Sequence, residues 1–289
     1  MRTRICCSAA GCLLSAITFG DVLARAAVDQ AATQTLPFET VRGSLIAVRG
    51  TIGSIDGLRL LVDTGTSRTV VDRRISGKLG LLGTPDRINV FGQIAPAERV
   101  TLPRLDLGPM HAADLSVLAA DLASVGQRLG TRLDAIVGLD VLRGHCFQID
   151  YLSRRLVLDC RDGWRWYVGC DPRSPYLVAS VIIDGREYRL FVDTGSDALA
   201  VFERAAPERS GGGEAIVPAD SLLTSLFLRR FIADSITVGS RKLRREDVFV
   251  VPGGSADLGY DGVLGVRRLA SRVQLDLTRM VVSWGNAVD

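Results

Sequence analysis

A heptapeptide that occurs twice constrains this chain more than any other feature. Residues 60–66 read Leu-Leu-Val-Asp-Thr-Gly-Thr, and residues 190–196 read Leu-Phe-Val-Asp-Thr-Gly-Ser, 130 positions later. Three further landmarks recur in the same order at nearly the same offset: 105–108 with 236–239, 134–138 with 261–265, and 147–150 with 273–276. A chance match does not produce such an ordered series, so the chain is a tandem duplication.

Each copy has the sequence pattern of short β-strands. Runs such as 58–62 and 188–192 are rich in aliphatic and β-branched residues and are bounded by Gly or Asp. The chain has thirty glycines, which favours a protein rich in turns. Its 289 residues are enough to bury a substantial core. We therefore predict an all-β, mainly β-strand protein with few short helices, the best helix candidates being 112–130 and 219–230.

Composition and charge exclude several classes of protein. Hydrophobic residues make up 47% of the chain and charged residues 23%, which excludes intrinsic disorder, collagen and coiled coils. The net charge of +3 gives no basic field of the kind that nucleic acids or anionic membranes attract. His111 and His145 are the only histidines and no Cys-x-x-Cys occurs, so we expect neither a metal site nor a cofactor.

Residues 1–26 have the layout of a secretory signal peptide. A short basic start precedes the uncharged run 5–20, and small residues follow near the end of the segment. The run is too short for a comfortable transmembrane span, so we expect an exported protein, periplasmic or secreted, without a membrane span. Lipid anchoring at Cys12 and an uncleaved anchor stay open as alternatives, and 27–36 is a candidate pro-segment.

Three cysteines lie beyond the signal peptide. Cys146 and Cys160 flank the runs 147–151 and 155–159, which have the pattern of the two arms of a hairpin. Such a hairpin sets the two residues opposite each other and favours a disulfide in an oxidising compartment. Cys160 with Cys170 is the other candidate pairing, and either one leaves a single thiol.

The repeated Asp-Thr-Gly supplies a carboxylate directly after a buried strand. Its glycine permits a backbone turn that a Cβ atom would obstruct. One such Asp is usually a turn residue, but a duplicated chain can bring Asp63 and Asp193 together at its twofold axis. Two adjacent carboxyls share one proton, so one can deprotonate a water while the other donates to a carbonyl under attack. This chemistry hydrolyses a peptide bond without a metal or a covalent nucleophile.

These residues resemble a known family. Two copies of apolar-apolar-Asp-Thr-Gly-Ser/Thr, each followed later by apolar-apolar-Gly, are similar to the aspartic proteases of the pepsin and retropepsin type. The resemblance spans about 38–289 and best fits a bacterial-looking fused tandem of two retropepsin-like domains. It implies a bilobal, pepsin-like acid-protease fold with two β-barrel lobes. The implied divisions are the signal peptide 1–26, an N-terminal lobe 38–160, a linker 161–175 and a C-terminal lobe 176–289.

The family pattern implies roles for the residues that match it. Asp63 and Asp193 correspond to the catalytic pair, and Thr64 and Thr194 to threonines whose hydroxyls grip across the lobe interface. The other matches are expected to support the active site: the turn residues Gly65 and Gly195, the hydroxyl residues Thr66 and Ser196, and the packing residues Gly138 and Gly265. In the family, the hydroxyls after the turn glycines hydrogen-bond the carboxylates and lower their pKa, which implies an acidic optimum.

Two features depart from the family pattern. The flap of pepsin-like enzymes carries a Tyr over the cleft, but no Tyr occurs between residues 1 and 150, and the best flap candidate is 90–93. Asp197 follows Ser196 directly, where the family usually has a small or neutral residue. Pointing inward, Asp197 would raise the pKa of the pair; we expect it instead to face solvent or to pair with an Arg.

The leading hypothesis is a monomeric, exported aspartic endopeptidase whose two halves share one active site. Its partner would be a peptide or protein substrate, with no role for nucleic acid. Covalent fusion favours pairing of the halves within one chain over pairing between chains. The alternatives are a non-catalytic peptide-binding module that retains the protease cleft, and a structural protein with a decayed cleft.

Overall fold

The computed structural model describes residues 34–90, 93–207, 215–220, 225–252 and 259–287. The predicted signal peptide 1–26, which includes Cys12, and most of the candidate pro-segment 27–36 lie outside these ranges. In the part of the chain that is described, no helix has both the length and the apolar character needed to cross a membrane.

Strands dominate the described ranges and form two sheets, one of thirteen strands and one of nine. The prediction of a mainly β protein with few short helices is therefore confirmed. The α-helices in these ranges are α1 (Arg73–Lys78), α2 (Ala123–Leu129) and α3 (Leu139–Leu142).

The larger sheet contains the strands of the N-terminal half and the last two strands of the chain. These are β1 (Thr35–Val41), β2 (Leu45–Ile52), β3 (Ile55–Val62), β4 (Val70–Asp72), β5 (Thr84–Val90), β6 (Gln93–Leu107), β7 (Met110–Ala120), β8 (Ala135–Val137), β9 (Cys146–Asp150), β10 (Arg155–Val157), β11 (Trp164–Gly169), β21 (Arg272–Asp276) and β22 (Val281–Ala287).

The smaller sheet is built from the C-terminal half alone. Its strands are β12 (Val178–Ile183), β13 (Arg186–Asp193), β14 (Leu199–Phe202), β15 (Ala215–Asp220), β16 (Ser225–Ala233), β17 (Ile236–Val238), β18 (Arg241–Leu243), β19 (Glu246–Val251) and β20 (Gly262–Gly265).

The strands around each Asp-Thr-Gly are paired in the same way. β3 runs parallel to β8, which is antiparallel to β4, and β13 runs parallel to β20, which is antiparallel to β14. β4 and β14 in turn run parallel to β7 and β19. Leu61 lies opposite Ile136 in one half, and Phe191 lies opposite Val263 in the other. The repeat in the sequence is therefore also a repeat of the fold.

The two halves join in the larger sheet, where β21 pairs with β9. β11 also enters this sheet, by pairing with β22, although it lies within 161–175, the segment predicted to be a linker. Its alternating side chains explain the pairing, since Val168 is buried and Trp166 packs against the core while Tyr167 is exposed. This segment is thus a strand of the sheet, and its apolar side chains pack against the core.

The helix prediction is wrong over most of its two ranges. Residues 112–120 belong to β7, and only α2 is helical within 112–130. Residues 225–230, within the predicted helix 219–230, belong to β16. β7 pairs along β6 and β16 pairs with β19, and such sheet pairing overrides the helix propensity of alanine-rich and leucine-rich segments.

A disulfide joins Cys146 at the start of β9 to Cys160 just after β10, with the Cα atoms 5.6 Å apart. The hairpin pattern in the sequence favours this pairing, because it places Cys146 and Cys160 opposite each other. Cys170 is free and buried, and burial raises the pKa of its thiol to about 12. Since only the thiolate is an effective nucleophile, Cys170 is unreactive at neutral pH.

Loss of this disulfide is expected to destabilise the fold. The bond closes a loop with a sequence separation of 14 residues. Replacing both Cys146 and Cys160 by Ala should lower the free energy of unfolding by about 3 kcal/mol, since the open chain has more conformational entropy when unfolded. The free energy of unfolding is measured by titration with urea, with circular dichroism as the signal. A reductant should weaken the native chain to the same extent and leave the double variant unchanged; an equal effect on both chains would contradict the prediction.

Candidate active site

Asp63 and Asp193 both lie where a parallel pair of strands ends. Asp63 directly follows β3, and its N–H donates to the carbonyl of Val137 at the end of β8, at 3.0 Å. Asp193 is the last residue of β13 and lies opposite Gly265 at the end of β20. The last three residues of β3, Leu60 to Val62, and the three residues of β13 before Asp193, Leu190 to Val192, are buried, so each carboxyl is held by a rigid support at the same kind of position in its half.

The two carboxyl groups lie against each other's loops. A Cβ atom on Gly65 would fall 2.6 Å from Cγ of Asp193, and one on Gly195 would fall 2.6 Å from Cγ of Asp63. The N–H groups of the same glycines donate to the neighbouring carboxylates, Gly65 to Oδ1 of Asp63 at 2.8 Å and Gly195 to Oδ1 of Asp193 at 2.7 Å. Each glycine is therefore enclosed between the two carboxyls, which leaves no room for a side chain.

The two loops are held together by reciprocal threonine hydrogen bonds. Thr64 Oγ1 donates to the carbonyl of Val192 at 2.9 Å, and Thr194 Oγ1 donates to the carbonyl of Val62 at 2.7 Å. Each hydroxyl also accepts the backbone N–H of the other threonine, at 3.0 and 3.1 Å. All four bonds are buried, where hydrogen bonds are strong and costly to break. They fix the distance between Asp63 and Asp193.

The electrostatics of the pair favour one shared proton. Burial raises the pKa of Asp193 well above its ordinary value, and the charge of Asp63 raises it further. Burial also raises the pKa of Asp63, against the effect of hydrogen bonds from Asp193 and from the N–H groups of Gly65 and Thr66. Two buried carboxyls in contact cannot both ionise cheaply, so Asp193 keeps the proton that Asp63 loses.

The expected roles of Thr66 and Ser196 need correction. Thr66 Oγ1 donates its proton to the carbonyl of Arg68 at 3.1 Å, and Ser196 Oγ accepts the N–H of Ala198 at 3.1 Å. Both side chains therefore close local turns of the loop, as short hydroxyl residues commonly do. The contact from this position to Asp63 comes from the backbone N–H of Thr66, and the net pKa shift of the pair is upward.

Gly138 and Gly265 pack directly beneath the two loops. A Cβ atom on Gly138 would lie 2.9 Å from the carbonyl oxygen of Thr66, and one on Gly265 would lie 2.6 Å from that of Ser196. The N–H of Gly265 donates to the carbonyl of Ala198 at 2.7 Å. These contacts require glycine at both positions and support the loops from below.

An Arg–Asp ion pair recurs in both halves, and the sequence motifs did not identify it. Asp134 pairs with the Arg74 guanidinium at 2.9 Å, and its counterpart Asp261 pairs with Arg204 at 3.3 Å. Asp134 also accepts the N–H of Arg59 from β3, which ties it to the strand that leads to Asp63. A signal was present, since Arg74 and Arg204 are 130 residues apart, the same offset as the two Asp-Thr-Gly copies.

The flap candidate 90–93 is part of a hairpin. β5 and β6 pair in register up to Val90 opposite Gln93. The tip, residues 91–92, lies outside the described residues. The C-terminal half has a hairpin in the corresponding order, β15 with β16, which is paired up to Asp220 opposite Ser225. A hairpin thus follows the Asp-Thr-Gly loop in each half.

Potential metal ligands within the described ranges gather at Cys146, Cys160 and Asp276, whose ligand atoms lie within 4.8 Å of one another. The disulfide occupies both sulfur atoms, so this group lacks the thiolates that would bind a metal.

Comparisons with known proteins agree with the geometry of the N-terminal half. Residues 48–141 match a family model described as "Aspartyl protease". The matched segment contains Asp63, Thr64, Gly65 and Gly138. A search of curated proteins found no match. Residues 48–141, about a third of the chain, are therefore similar to an aspartyl protease family.

Proposed function

We propose that this chain is an aspartic endopeptidase in which Asp63 and Asp193 form one catalytic pair between its two halves. The observation that carries the proposal is the mutual enclosure of the two carboxyls, each within van der Waals distance of the other loop's glycine. The threonine hydrogen bonds between the loops give this arrangement the rigidity that catalysis requires.

The chemistry follows from the shared proton. The ionised carboxylate removes a proton from a water, and the water oxygen attacks the carbonyl carbon of the peptide bond. The protonated carboxyl donates to the carbonyl oxygen, which becomes a hydroxyl in the tetrahedral intermediate. When the C–N bond breaks, the carboxyl that took a proton from water gives it to the nitrogen, which leaves as an amine. A hydroxyl of the intermediate returns its proton to the other carboxylate as the new carboxyl product forms, so the pair is again singly protonated.

Two features of the site assist this cycle. Oδ1 of each Asp accepts a glycine N–H, which restricts rotation of the carboxyl group. Both Asp side chains are at least nine-tenths buried, and in a water-poor environment their interaction with developing charge is stronger.

We further propose that the enzyme acts outside the cytoplasm as a monomer. The layout of residues 1–26 supports export, and the Cys146–Cys160 disulfide suits an oxidising compartment. Each half of one chain contributes one of the two carboxyls, so a second chain is not needed to complete the pair.

Hydrolysis of an unstructured protein between pH 3 and 7 tests the proposed function. The rate should fall as the pH rises through the raised pKa of Asp193, because the proton donor is then lost. It should also fall as the pH drops through the pKa of Asp63, which burial raises above the ordinary value of 3.8, because Asp63 is then protonated and no longer acts as a base. The expected profile is a bell whose alkaline limb lies above the ordinary Asp pKa of 3.8.

A statine-type transition-state mimic should abolish this activity, whereas a chelator or a serine-reactive reagent should not. Inhibition by the chelator would contradict the mechanism. Binding of the mimic without cleavage of any substrate would favour the peptide-binding module instead.

A further inference from the structure

The Cys146–Cys160 disulfide lies against a buried carboxylate from the other half of the chain. Asp276, the last residue of β21, is opposite Cys146 in the pairing of β21 with β9. Its Oδ2 lies 3.4 Å from Sγ of Cys160. Two sulfur atoms and one carboxylate oxygen are thus brought together, and when the sulfurs are reduced this is a set of ligands that suits Zn²⁺.

The carboxyl group of Asp276 has one oxygen fully occupied and one without a donor. Oδ1 accepts the N–H and the hydroxyl of Thr278 at 3.0 and 2.6 Å, and the N–H of Arg279 at 2.9 Å. Oδ2 faces the sulfur of Cys160, which carries no proton in the disulfide, and lies 3.8 Å from Nε of Arg279. Since Asp276 is only 3% exposed, this oxygen is poorly compensated. A carboxylate fixed by outer hydrogen bonds, with one oxygen free, is the arrangement of a metal ligand.

Reduction of the disulfide leaves the two sulfurs near each other, because other bonds hold the segment around Cys160. On one side, Gln148 Nε2 donates to the carbonyl of Asp159 at 2.9 Å. On the other side, Gln274 accepts the N–H of Arg161 at 2.8 Å and donates to its carbonyl at 3.1 Å. The Cα atoms of the two cysteines are 5.6 Å apart, and side-chain rotation then gives the sulfur separation of roughly 3.8 Å that a tetrahedral Zn²⁺ needs.

A groove of about 380 Å³ leads to the two cysteines from solvent. Both of them line it, together with residues that include His145 and Asp159. A metal ion can therefore reach the sulfurs without unfolding of the chain, and a water in the groove supplies the fourth ligand.

We propose that the reduced chain binds one Zn²⁺ through Cys146, Cys160 and Asp276. The newly made chain has both thiols before the disulfide forms. A dithiol reductant also restores them, by giving two electrons and two protons to the disulfide and becoming a disulfide itself. Zn²⁺ then displaces one proton from each thiol. The sequence led us to expect no metal site, because only the fold brings these three ligands together.

The ion links parts of the chain that the disulfide does not. The disulfide closes a loop within the N-terminal half, whereas Asp276 belongs to β21 of the C-terminal half. Zn²⁺ therefore fastens the hairpin β9–β10 to β21, the strand through which the two halves join. This site is separate from the proposed catalytic pair, and its test does not depend on proteolysis.

The test uses the full chain with the other four cysteines replaced by Ala, either oxidised or reduced and then freed of reductant under argon. Titration with Co²⁺ should give the charge-transfer band of thiolate ligands and the visible bands of a tetrahedral site in the reduced chain, and neither in the oxidised chain. Zn²⁺ should displace Co²⁺ and raise the melting temperature of the reduced chain. Asp276→Asn should weaken Zn²⁺ binding at least about tenfold, because even groups that only support a metal ligand contribute that much.

Asp159→Asn is the matched control, since Asp159 is an exposed carboxylate beside Cys160 in the same groove, and this variant should bind Zn²⁺ as tightly as its parent. Equal affinity in Asp276→Asn would overturn the proposal, because the two thiolates would then bind without the carboxylate. A reduced, folded chain whose two thiols react with a thiol reagent but which gives no cobalt bands would also overturn it. Should reduction unfold the chain, recovery of the native circular dichroism on addition of Zn²⁺ supports the site, and failure to recover contradicts it.

Discussion

Replacement of Asp63 or Asp193 by Asn, one at a time, is expected to lower kcat for peptide hydrolysis by at least roughly a thousandfold. Asn at position 63 cannot remove a proton from water, and Asn at position 193 cannot pass a proton to the carbonyl oxygen. Because the pair acts as one unit, the double variant should be no less active than either single variant. Assays of the purified chains at the optimum of the native pH profile measure this.

Thermal unfolding separates loss of chemistry from loss of folding. The folded pKa of Asp193 is raised, so the stability tied to its protonated form is complete below the unfolded pKa of 3.8 and is lost as the pH rises through the folded pKa. Asn carries no such penalty. Asp193→Asn should therefore melt at or above the native temperature at pH 7, and this advantage should disappear near pH 3.

Asp114→Asn serves as the control, since Asp114 is an exposed carboxylate on β7 outside both loops, with activity and melting temperature equal to those of the native chain. Hydrolysis that survives at more than about a tenth of the native rate in either single Asp variant would contradict a shared pair. The reaction would then need another base, and the contact between the loops would be structural.

The sequence repeat predicts the centre of this site and much of the fold. Two copies of one motif at a constant offset require two similar halves, and they identify Asp63 and Asp193 as the residues that a twofold arrangement can bring together. The hairpin pattern placed Cys146 opposite Cys160, but spacing alone could not exclude Cys170. Such inferences succeed where the relevant signal is local or repeated.

Other features depend on contacts that the sequence does not encode locally. Residues 112–120 form a strand because β6 is beside them, although alanine and leucine favour a helix. The hydroxyl of Thr66 turns to the carbonyl of Arg68, a choice set by the loop geometry. The raised pKa of Asp193 depends on its burial and on the nearness of Asp63, neither of which is visible before the halves are assembled.

The second large effect is expected at the glycines of the two loops. Gly65→Ala would place a Cβ atom 2.6 Å from Oδ1 of Asp193, and Gly195→Ala would place one 2.5 Å from Oδ1 of Asp63. Real Cβ contacts are not this short, so the carboxyl group or the whole loop must move. A displacement of about 1 Å in a catalytic group can cost about a hundredfold in rate. We therefore expect kcat/KM to fall by at least roughly a hundredfold in each variant.

Gly77→Ala is the matched control, because a Cβ atom at that position in α1 has no atom within 4 Å. It should retain the native kcat/KM within about twofold and be slightly more stable, since alanine favours a helix over glycine. The catalytic-loop variants should still unfold cooperatively, because Thr64 and Thr194 keep their reciprocal hydrogen bonds. Full activity in Gly65→Ala would mean that the two loops are further apart in the working enzyme, and the shared-proton mechanism would lose its structural basis.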